Sequence, residues 1–388
     1  MKKPTQKQRD RNVKLNIRLR RNIHKRRRIS TSKRWFRTGT QPTNKINKWI
    51  NDKIKEKLLA ATIDKKKRLT IVLPESMNFN NNYEETSVYI NAIRKVTNRP
   101  AQHNTYRLNS VSFNNLKNIS TSAALVLTAE LSKWDDAIRQ NLAPNVANWD
   151  SDILRRFREL GFFSLFRKSP EELCNSHKTG EADINFVRYI KGKCGDANKT
   201  RILKREIIEV VGEDICKWTF LHSGLTEAIT NVSHHAYPDG YEFIDSDKNW
   251  YMSGGYDRKT NELKVVFYDQ GIGIPKSLPA STLKEKVFEL ISNLDIDAAD
   301  RMKDATLLKA AVQLSRTSTG RLDRGKGLQD LLEFIKQRGN GYLSILSLRG
   351  LYKFTVSHGV EITKSEHFNN AIPGTLIIWS ATLNDKYC

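Results

Sequence analysis

A carboxylate and an amide stand one helical turn apart in the segment 227–236. Apolar residues recur there at three- and four-residue steps, which predicts an amphipathic helix whose neighbouring face carries Glu227 and Asn231. A glutamate in such a position can orient and deprotonate an attacking water or hydroxyl, and an asparagine carbonyl is a hard oxygen ligand that suits Mg²⁺. Taken alone, such a pair is typical of a solvated helix face.

An aspartate followed by two glycines ends a predicted strand over residues 263–268. The motif consists of Asp269, Gly271 and Gly273, in the order Asp-x-Gly-x-Gly. A carboxylate at a strand end can accept a hydrogen bond from the amino group of adenine, and the glycines let the backbone approach a base without a Cβ in the way. In isolation, this motif is typical of an ordinary turn.

A basic glycine turn precedes a second amphipathic helix, with Arg324, Gly325, Lys326 and Gly327 in consecutive positions. Free N–H groups at a helix N-terminus bind phosphate, and neighbouring cations add charge-assisted hydrogen bonds. A flexible hinge with solvated side chains is the alternative. Further along the chain, Thr375 opens a predicted strand over 374–379, where its hydroxyl can reach a bound base or the water on that base.

As an ordered set, these motifs resemble the Bergerat-fold ATPases of the GHKL class, which include gyrase and the histidine kinases. The order agrees, and so does the spacing of 38, 56 and 50 residues between Asn231, Asp269, Gly325 and Thr375. The resemblance covers about residues 213–381. It implies an α+β two-layer sandwich in which a mixed sheet carries helices on one face and ATP lies under a mobile lid.

The resemblance also implies a role for each motif. It makes Glu227 the general base, Asn231 the magnesium ligand, Asp269 the adenine-reading acid, Gly271 with Gly273 the first glycine box, Gly325 with Gly327 the second box, and Thr375 the threonine of the final strand. Asp323 stands where a further glycine often occurs, which leaves the lid conformation open. The lid itself would lie between the two boxes, with helical stretches near 281–294 and 304–315.

Strands and helices alternate upstream of these motifs, which predicts a small α/β domain over residues 66–195. Residues 112–125 resemble the strand–turn–helix of STAS domains, with Ser120, Thr121 and Ser122 where that family offers a phosphorylatable hydroxyl. The Asp and Gly of the family's turn are missing here. A helix N-cap, a phosphoacceptor and a recognition loop all remain open as the role of this turn.

Positive charge is concentrated at one end of the 388-residue chain. The net charge is +24, and residues 1–50 contribute +17 of it through 18 Lys or Arg and one acid. We therefore predict a basic arm over residues 1–65, partly disordered or helical, with a helix near 43–60. The small domain 66–195 and an ATP-binding domain over 196–388 would follow it.

The cysteine content and the hydropathy bound the class of protein. Four cysteines form no dense pattern, which favours a reduced cytoplasmic chain over a disulfide scaffold. Cys174, His177 and Cys194 lack an obvious fourth zinc ligand. No apolar run approaches about 20 residues and no secretory signal is recognisable, so we expect no membrane partner.

ATP and Mg²⁺ are the expected ligands, and the features that the sequence lacks narrow the class further. We recognise neither the dimerisation helix of sensor histidine kinases before the pocket nor a gyrase-like transducer domain after it. What remains resembles the anti-sigma-factor serine kinases, whose partners carry the STAS fold. The leading hypothesis is a regulatory ATPase or Ser/Thr kinase switch, whose lid couples the nucleotide to domain packing, a protein partner or a homodimer.

The alternative hypothesis is a nucleic-acid-binding protein in which ATP is a sensed or structural ligand. Residues 1–48 would neutralise phosphates, and Trp35 and Phe36 would stack on bases. A solubilising tail and an acidic protein partner are the other interpretations of this arm.

Overall fold

The computed structural model of the protein describes residues 42–97, 105–134, 145–166, 183–194, 196–212, 218–238, 248–278, 289–291, 298–317 and 326–383. Some features singled out above lie outside the described residues. These are residues 1–41 of the arm with Trp35 and Phe36, Cys174 and His177, most of the lid helix near 281–294, and Asp323, Arg324 and Gly325.

The N-terminal unit, residues 42–166, combines a small sheet with flanking helices. In chain order its elements are α1 (Pro42–Lys55), β1 (Ala61–Ile63), β2 (Arg68–Val72), β3 (Ser76–Met77), α2 (Tyr83–Thr97), β4 (Arg107–Ser112), β5 (Asn118–Ile119), α3 (Thr121–Leu131), α4 (Ser151–Leu160) and a 3₁₀ turn (Phe162–Leu165). β1 pairs antiparallel with β2, β2 pairs parallel with β4, and β3 pairs parallel with β5. α2 supplies the crossover that the parallel pair β2–β4 needs.

The helices of this unit correct one predicted boundary and show one role of the turn before α3. Ile50 on α1 is fully buried, so residues 42–65, predicted to be part of the arm, belong to the N-terminal unit. The hydroxyl of Ser120 accepts a hydrogen bond from the backbone N–H of Ala123 at 3.2 Å, so Ser120 is the N-cap of α3. Among the described residues, no helix is long and apolar enough to cross a membrane.

A larger sheet organises residues 183–383. In chain order the elements are β6 (Ile184–Phe186), β7 (Ile190–Lys193), α5 (Thr200–Val211), α6 (Trp218–Asn231), β8 (Asn249–Asp257), β9 (Glu262–Asp269), α7 (Ile274–Ser277), α8 (Ala298–Arg301), α9 (Asp304–Thr317), α10 (Lys326–Arg338), β10 (Gly341–Ser357) and β11 (Val360–Thr382). The strand order is β10-β11-β9-β8-β6, and β7 also pairs with β8. All five pairs are antiparallel, whereas the resemblance implies a mixed sheet. Short turns join β8 to β9 and β10 to β11, which makes these two pairs antiparallel.

Both faces of the large sheet are covered, so the protein is α/β with three layers. Along β9, Val265 and Phe267 pack against the helical layer formed by α5, α6, α9 and α10. The alternate residues Val266 and Tyr268 pack against the N-terminal unit. Burial on two sides explains why four apolar or aromatic residues, 265–268, follow one another in this strand.

The boundary between the two units differs from the predicted one. β6 and β7 lie within the predicted domain 66–195, but both pair with β8 of the large sheet. The large sheet therefore begins at Ile184 or earlier, not after residue 195. Strands of three and four residues carry too little periodicity to show which sheet they join.

Candidate functional site

A row of three polar side chains crosses the sheet where β9 ends. Asp269 pairs directly with Thr375 of β11, and Thr375 pairs with Ser347 of β10. All three are at most 5% exposed. The hydroxyl oxygens of Thr375 and Ser347 lie 3.1 Å apart, and interactions with the hydroxyl and the backbone N–H of Thr375 lower the pKa of the Asp269 carboxyl. Its Oδ1 also accepts the backbone N–H of Gly271 at 2.8 Å.

This environment sets the charge of the Asp269 carboxyl. Burial raises its pKa from 3.8 to about 6, while the N–H of Gly271, the contacts with Thr375 and the positive charge of Arg94 oppose that rise. The group is therefore ionised at neutral pH but protonates in mild acid. A desolvated carboxylate held this way is a strong hydrogen-bond acceptor for a ligand.

The glycines around Asp269 are required by close backbone contacts. A Cβ on Gly271 would collide with the carbonyl oxygen of Ala236, which accepts the N–H of Ile272 at 2.9 Å. Gly374 has φ +71°, and a Cβ there would collide with the carbonyl oxygen of Asp269. Gly273, with φ +85°, leads into α7. The first glycine box is thus a tight turn docked on the residues that follow α6.

α6 carries Glu227 and Asn231 toward this turn. Its opposite face packs into the core through Leu225, Ala228 and Ile229, which leaves Glu227 half-buried and Asn231 exposed. Within the described part of the chain, neither of their side chains has a hydrogen bond or ion pair, so both are available to a ligand. Asn231 is the last residue of α6 and is followed by a π-helical turn, Val232–Ala236, of the kind that recurs at functional sites.

The hydroxyls on the same stretch are turned back onto the helix. Thr226, Thr230 and Ser233 each donate a hydrogen bond to the backbone carbonyl four residues earlier. Such back-bonded hydroxyls are satisfied locally. Glu227 and Asn231 differ from these residues, because no hydrogen bond to their side chains is found within the described part of the chain.

The topology places the start of α10 at the same end of the sheet. A short turn joins the end of α10 to Gly341, which begins β10 six residues before Ser347. α10 packs on α6 and β10, and its 13 residues run back by about 20 Å. The six steps of β10 from Gly341 to Ser347 cover about the same length. Lys326 and Gly327, which begin α10, thus lie towards the Asp269 end.

The Ser120–Ser122 turn lies elsewhere. The side chain of Thr121 occupies the space that a Cβ on Gly255 would need, on the sheet face that the N-terminal unit covers. Gly255 lies five residues along β8 from the partner of Asp269, which is about 17 Å. A cavity of about 160 Å³ lies beside this contact and is lined by both the turn and the sheet, with Arg156 and Lys264 among its lining residues.

The structure therefore brings together most of the predicted residues that it describes. Asp269, Gly271, Gly273 and Thr375 lie together at the end of β9, the residues after α6 contact this turn, and α10 begins towards the same end of the sheet. The sequence interpretation missed Ser347, which hydrogen-bonds Thr375 and also accepts the N–H of Ile274 at 2.9 Å. Ser347 lies in β10, a strand that the sequence analysis did not predict, and even a predicted strand would not have specified the register that brings Ser347 to Thr375.

Comparisons with known proteins leave the family open. No protein-family model and no curated protein matches this chain. The interpretation of the site therefore rests on the geometry above and on the resemblance of its motifs.

Proposed function

We propose that this protein is a Mg-ATP-binding switch of the Bergerat type, acting as a regulatory ATPase or a Ser/Thr kinase. The observation that carries the proposal is the buried Asp269–Thr375 pair, closed by a glycine turn that is docked on the end of α6. Taken singly, each of these features is also explained as an ordinary turn or a solvated helix face. Their convergence at one sheet end is difficult to account for as three unrelated turns and helix faces.

Adenine recognition belongs to the Asp269 carboxylate. One of its oxygens is held by the N–H of Gly271, and the ionised group accepts the exocyclic amino group of the base. Thr375 keeps the carboxylate oriented from the neighbouring strand. The tight approach of Gly271 to Ala236 provides a flat backbone surface beside the base.

The triphosphate of ATP would be bound by Asn231, Glu227 and the start of α10. The Asn231 carbonyl fits a magnesium ion, which neutralises phosphate charge when bound. The exposed amide and half-buried carboxylate lie one turn apart, so Glu227 can deprotonate a hydroxyl or water near the terminal phosphate. The N–H groups at Lys326 and Gly327, with the neighbouring Arg324 and Gly325, supply phosphate contacts.

The position of the Ser120–Ser122 turn favours an acceptor other than its own hydroxyls. The turn lies across the sheet from α6 and about 17 Å along the strands from Asp269. Transfer in cis would require the N-terminal unit to undock and expose a buried face of the sheet. Water or a hydroxyl of a partner protein is the better acceptor for the packing described here.

The proposal is tested by calorimetry of the full chain with Mg-ATP and Mg-ITP. We expect saturable uptake of ATP and at least about tenfold weaker uptake of ITP, because its carbonyl oxygen replaces the amino group that Asp269 accepts. ATP should also raise the unfolding temperature in a concentration-dependent way. Absence of ATP uptake by folded protein would refute the proposal, and equal uptake of both nucleotides would refute the role of Asp269.

The charge distribution favours nucleic-acid binding as a second candidate function. Residues 1–41 hold 16 Lys or Arg, and α1 begins at Pro42 and is packed on the core, so deletion of 2–41 should leave the fold intact. We expect the full chain to bind single-stranded RNA or DNA with an affinity that falls steeply with salt. The deletion variant should lose this binding and keep ATP uptake. Equal binding by both chains would exclude the arm as the interface.

A further inference from the structure

A buried polar cluster joins the N-terminal unit to the strand that ends in Asp269. Its centre is Glu130 on α3, which is fully buried. Oε1 of Glu130 accepts the Tyr268 hydroxyl at 2.7 Å and Nε2 of Gln270 at 2.9 Å. Arg94 on α2 completes the cluster, with its Nη1 3.4 Å from the same oxygen. A single carboxylate therefore holds one residue of β9 and the residue that follows the strand.

Arg94 and α3 also hold the backbone and the amide of Gln270. Nη2 of Arg94 donates to the carbonyl oxygen of Gln270 at 3.2 Å, and Nε2 of Gln270 donates to the carbonyl oxygen of Ala129 at 3.2 Å. Gln270 is fully buried. Its N–H in turn donates to the hydroxyl of Tyr237 at 3.2 Å. Gln270 is thus fixed through both its side chain and its backbone.

These contacts hold the residues immediately before and after Asp269 in the sequence, Tyr268 and Gln270. Successive side chains of a strand point to opposite faces of the sheet. Tyr268 faces the N-terminal unit. Asp269 lies on the other face, together with Val265 and Phe267, which pack towards α6. Fixing residues 268 and 270 from one face therefore fixes the direction of residue 269 on the other.

We propose that Arg94 and Glu130 are positioning residues of the candidate adenine site, so that the N-terminal unit must be docked on the sheet for Asp269 to bind a nucleotide base. The inference rests on the proposed function. It assigns the N-terminal unit a part in nucleotide recognition.

The energetics favour a functional role for the cluster over a stabilising one. Within the described residues, Oε2 of Glu130 and Oε1 of Gln270 are buried without a hydrogen-bond partner. Unsatisfied buried acceptors weaken a fold, and buried ion pairs often contribute no more than apolar residues of the same size. A core that served only to join two units would be better filled with apolar side chains.

The electrostatics provide a readout that a merely structural role would not change. Among the described residues, the ionisable groups that interact electrostatically with Asp269 are Arg94 from α2, Tyr268 from β9, Tyr237 beyond α6 and Cys194 beyond β7. Burial raises the pKa of both tyrosines and of the Cys194 thiol, so these groups are neutral in mild acid. Arg94 is the cation of this set, and its charge lowers the pKa of Asp269.

The test compares Arg94→Gln with Arg155→Gln in Mg-ATP calorimetry between pH 5 and 8. Arg155 is a matched control, because it also pairs with two carboxylates, Asp152 and Glu159, and donates to the Ile184 carbonyl of the large sheet at 3.0 Å. We expect R94Q to weaken ATP binding about tenfold at neutral pH and to raise the pH at which binding is half lost. R155Q should match the parent in both.

If R94Q does not fold, two milder variants test the same inference. Arg94→Lys keeps the positive charge and should retain the parent's pH midpoint while losing part of the affinity. Tyr268→Phe removes only the hydroxyl that Glu130 accepts and should weaken ATP binding about threefold. A parent that binds ATP, together with R94Q or Y268F at parental affinity and pH midpoint, would overturn the inference and leave the proposed function standing. A parent that binds no ATP would overturn both.

Discussion

Replacement of Glu227 by glutamine is expected to slow turnover of bound ATP by about 10²–10⁴-fold while leaving ATP affinity unchanged within about threefold. The expectation follows from the position of Glu227, half-buried on α6 one turn before Asn231 and without a partner in the described part of the chain. Glutamine keeps the shape of the side chain and removes its ability to take a proton. E227Q therefore removes proton acceptance by residue 227 and leaves the shape of the pocket unchanged.

The measurement is single-turnover incubation with γ-labelled ATP and Mg²⁺, following free phosphate and label on protein separately. Glu206→Gln is the matched control, since Glu206 is a half-buried glutamate on α5 in the same helical layer. Parental turnover in E227Q would exclude Glu227 as the base. Free phosphate alone indicates an ATPase, and label on Ser120–Ser122 would contradict the argument that the packing separates this turn from the site.

Replacement of Asp269 by asparagine should weaken ATP binding about 100-fold, the loss expected for one charged hydrogen bond in a desolvated site. The asparagine amide can donate to the carbonyl oxygen of inosine, so the preference for ATP over ITP should shrink or reverse. Calorimetry with both nucleotides, on D269N and on the parent, measures the two effects together.

The same substitution should not destabilise the protein at neutral pH. The folded-state pKa of Asp269, about 6, lies above its ordinary value of 3.8, so the folded state binds more protons between these values. The contribution of this carboxyl to the free energy of unfolding therefore declines as pH rises from about 4 to about 6, by an amount on the order of 3 kcal/mol. Asparagine carries no buried charge and avoids that loss.

We accordingly expect D269N without nucleotide to unfold at the parent's temperature or above it at pH 7. At pH 4 the advantage should disappear, because the parent carboxyl is then protonated in the fold. Thermal unfolding followed by circular dichroism at both pH values checks this. Parental ATP affinity in D269N would remove Asp269 from the site, and joint loss of stability and binding at pH 7 would indicate a structural role instead.

Much of the candidate site is readable from the sequence because its signals are local. The 3.6-residue period predicts α6, the mainly apolar segment 263–268 predicts β9, and the glycines mark the turn after Asp269. The α/β class follows from the same patterns, and the structure confirms it. The order of the motifs along the chain requires no tertiary information, and from it the resemblance to the Bergerat-fold ATPases can be stated.

What the sequence by itself determined, then, is which residues stand at the ends of which elements, because side-chain period and turn chemistry act over a few residues. Only the tertiary structure decided that Thr375 faces Asp269, that Ser347 joins them, and that Arg94 and Glu130 hold the strand from behind. These contacts join residues 28 to 176 positions apart. Register and packing between distant elements depend on which faces the whole chain buries together, since a one-residue slip would turn every side chain of a strand to its other face.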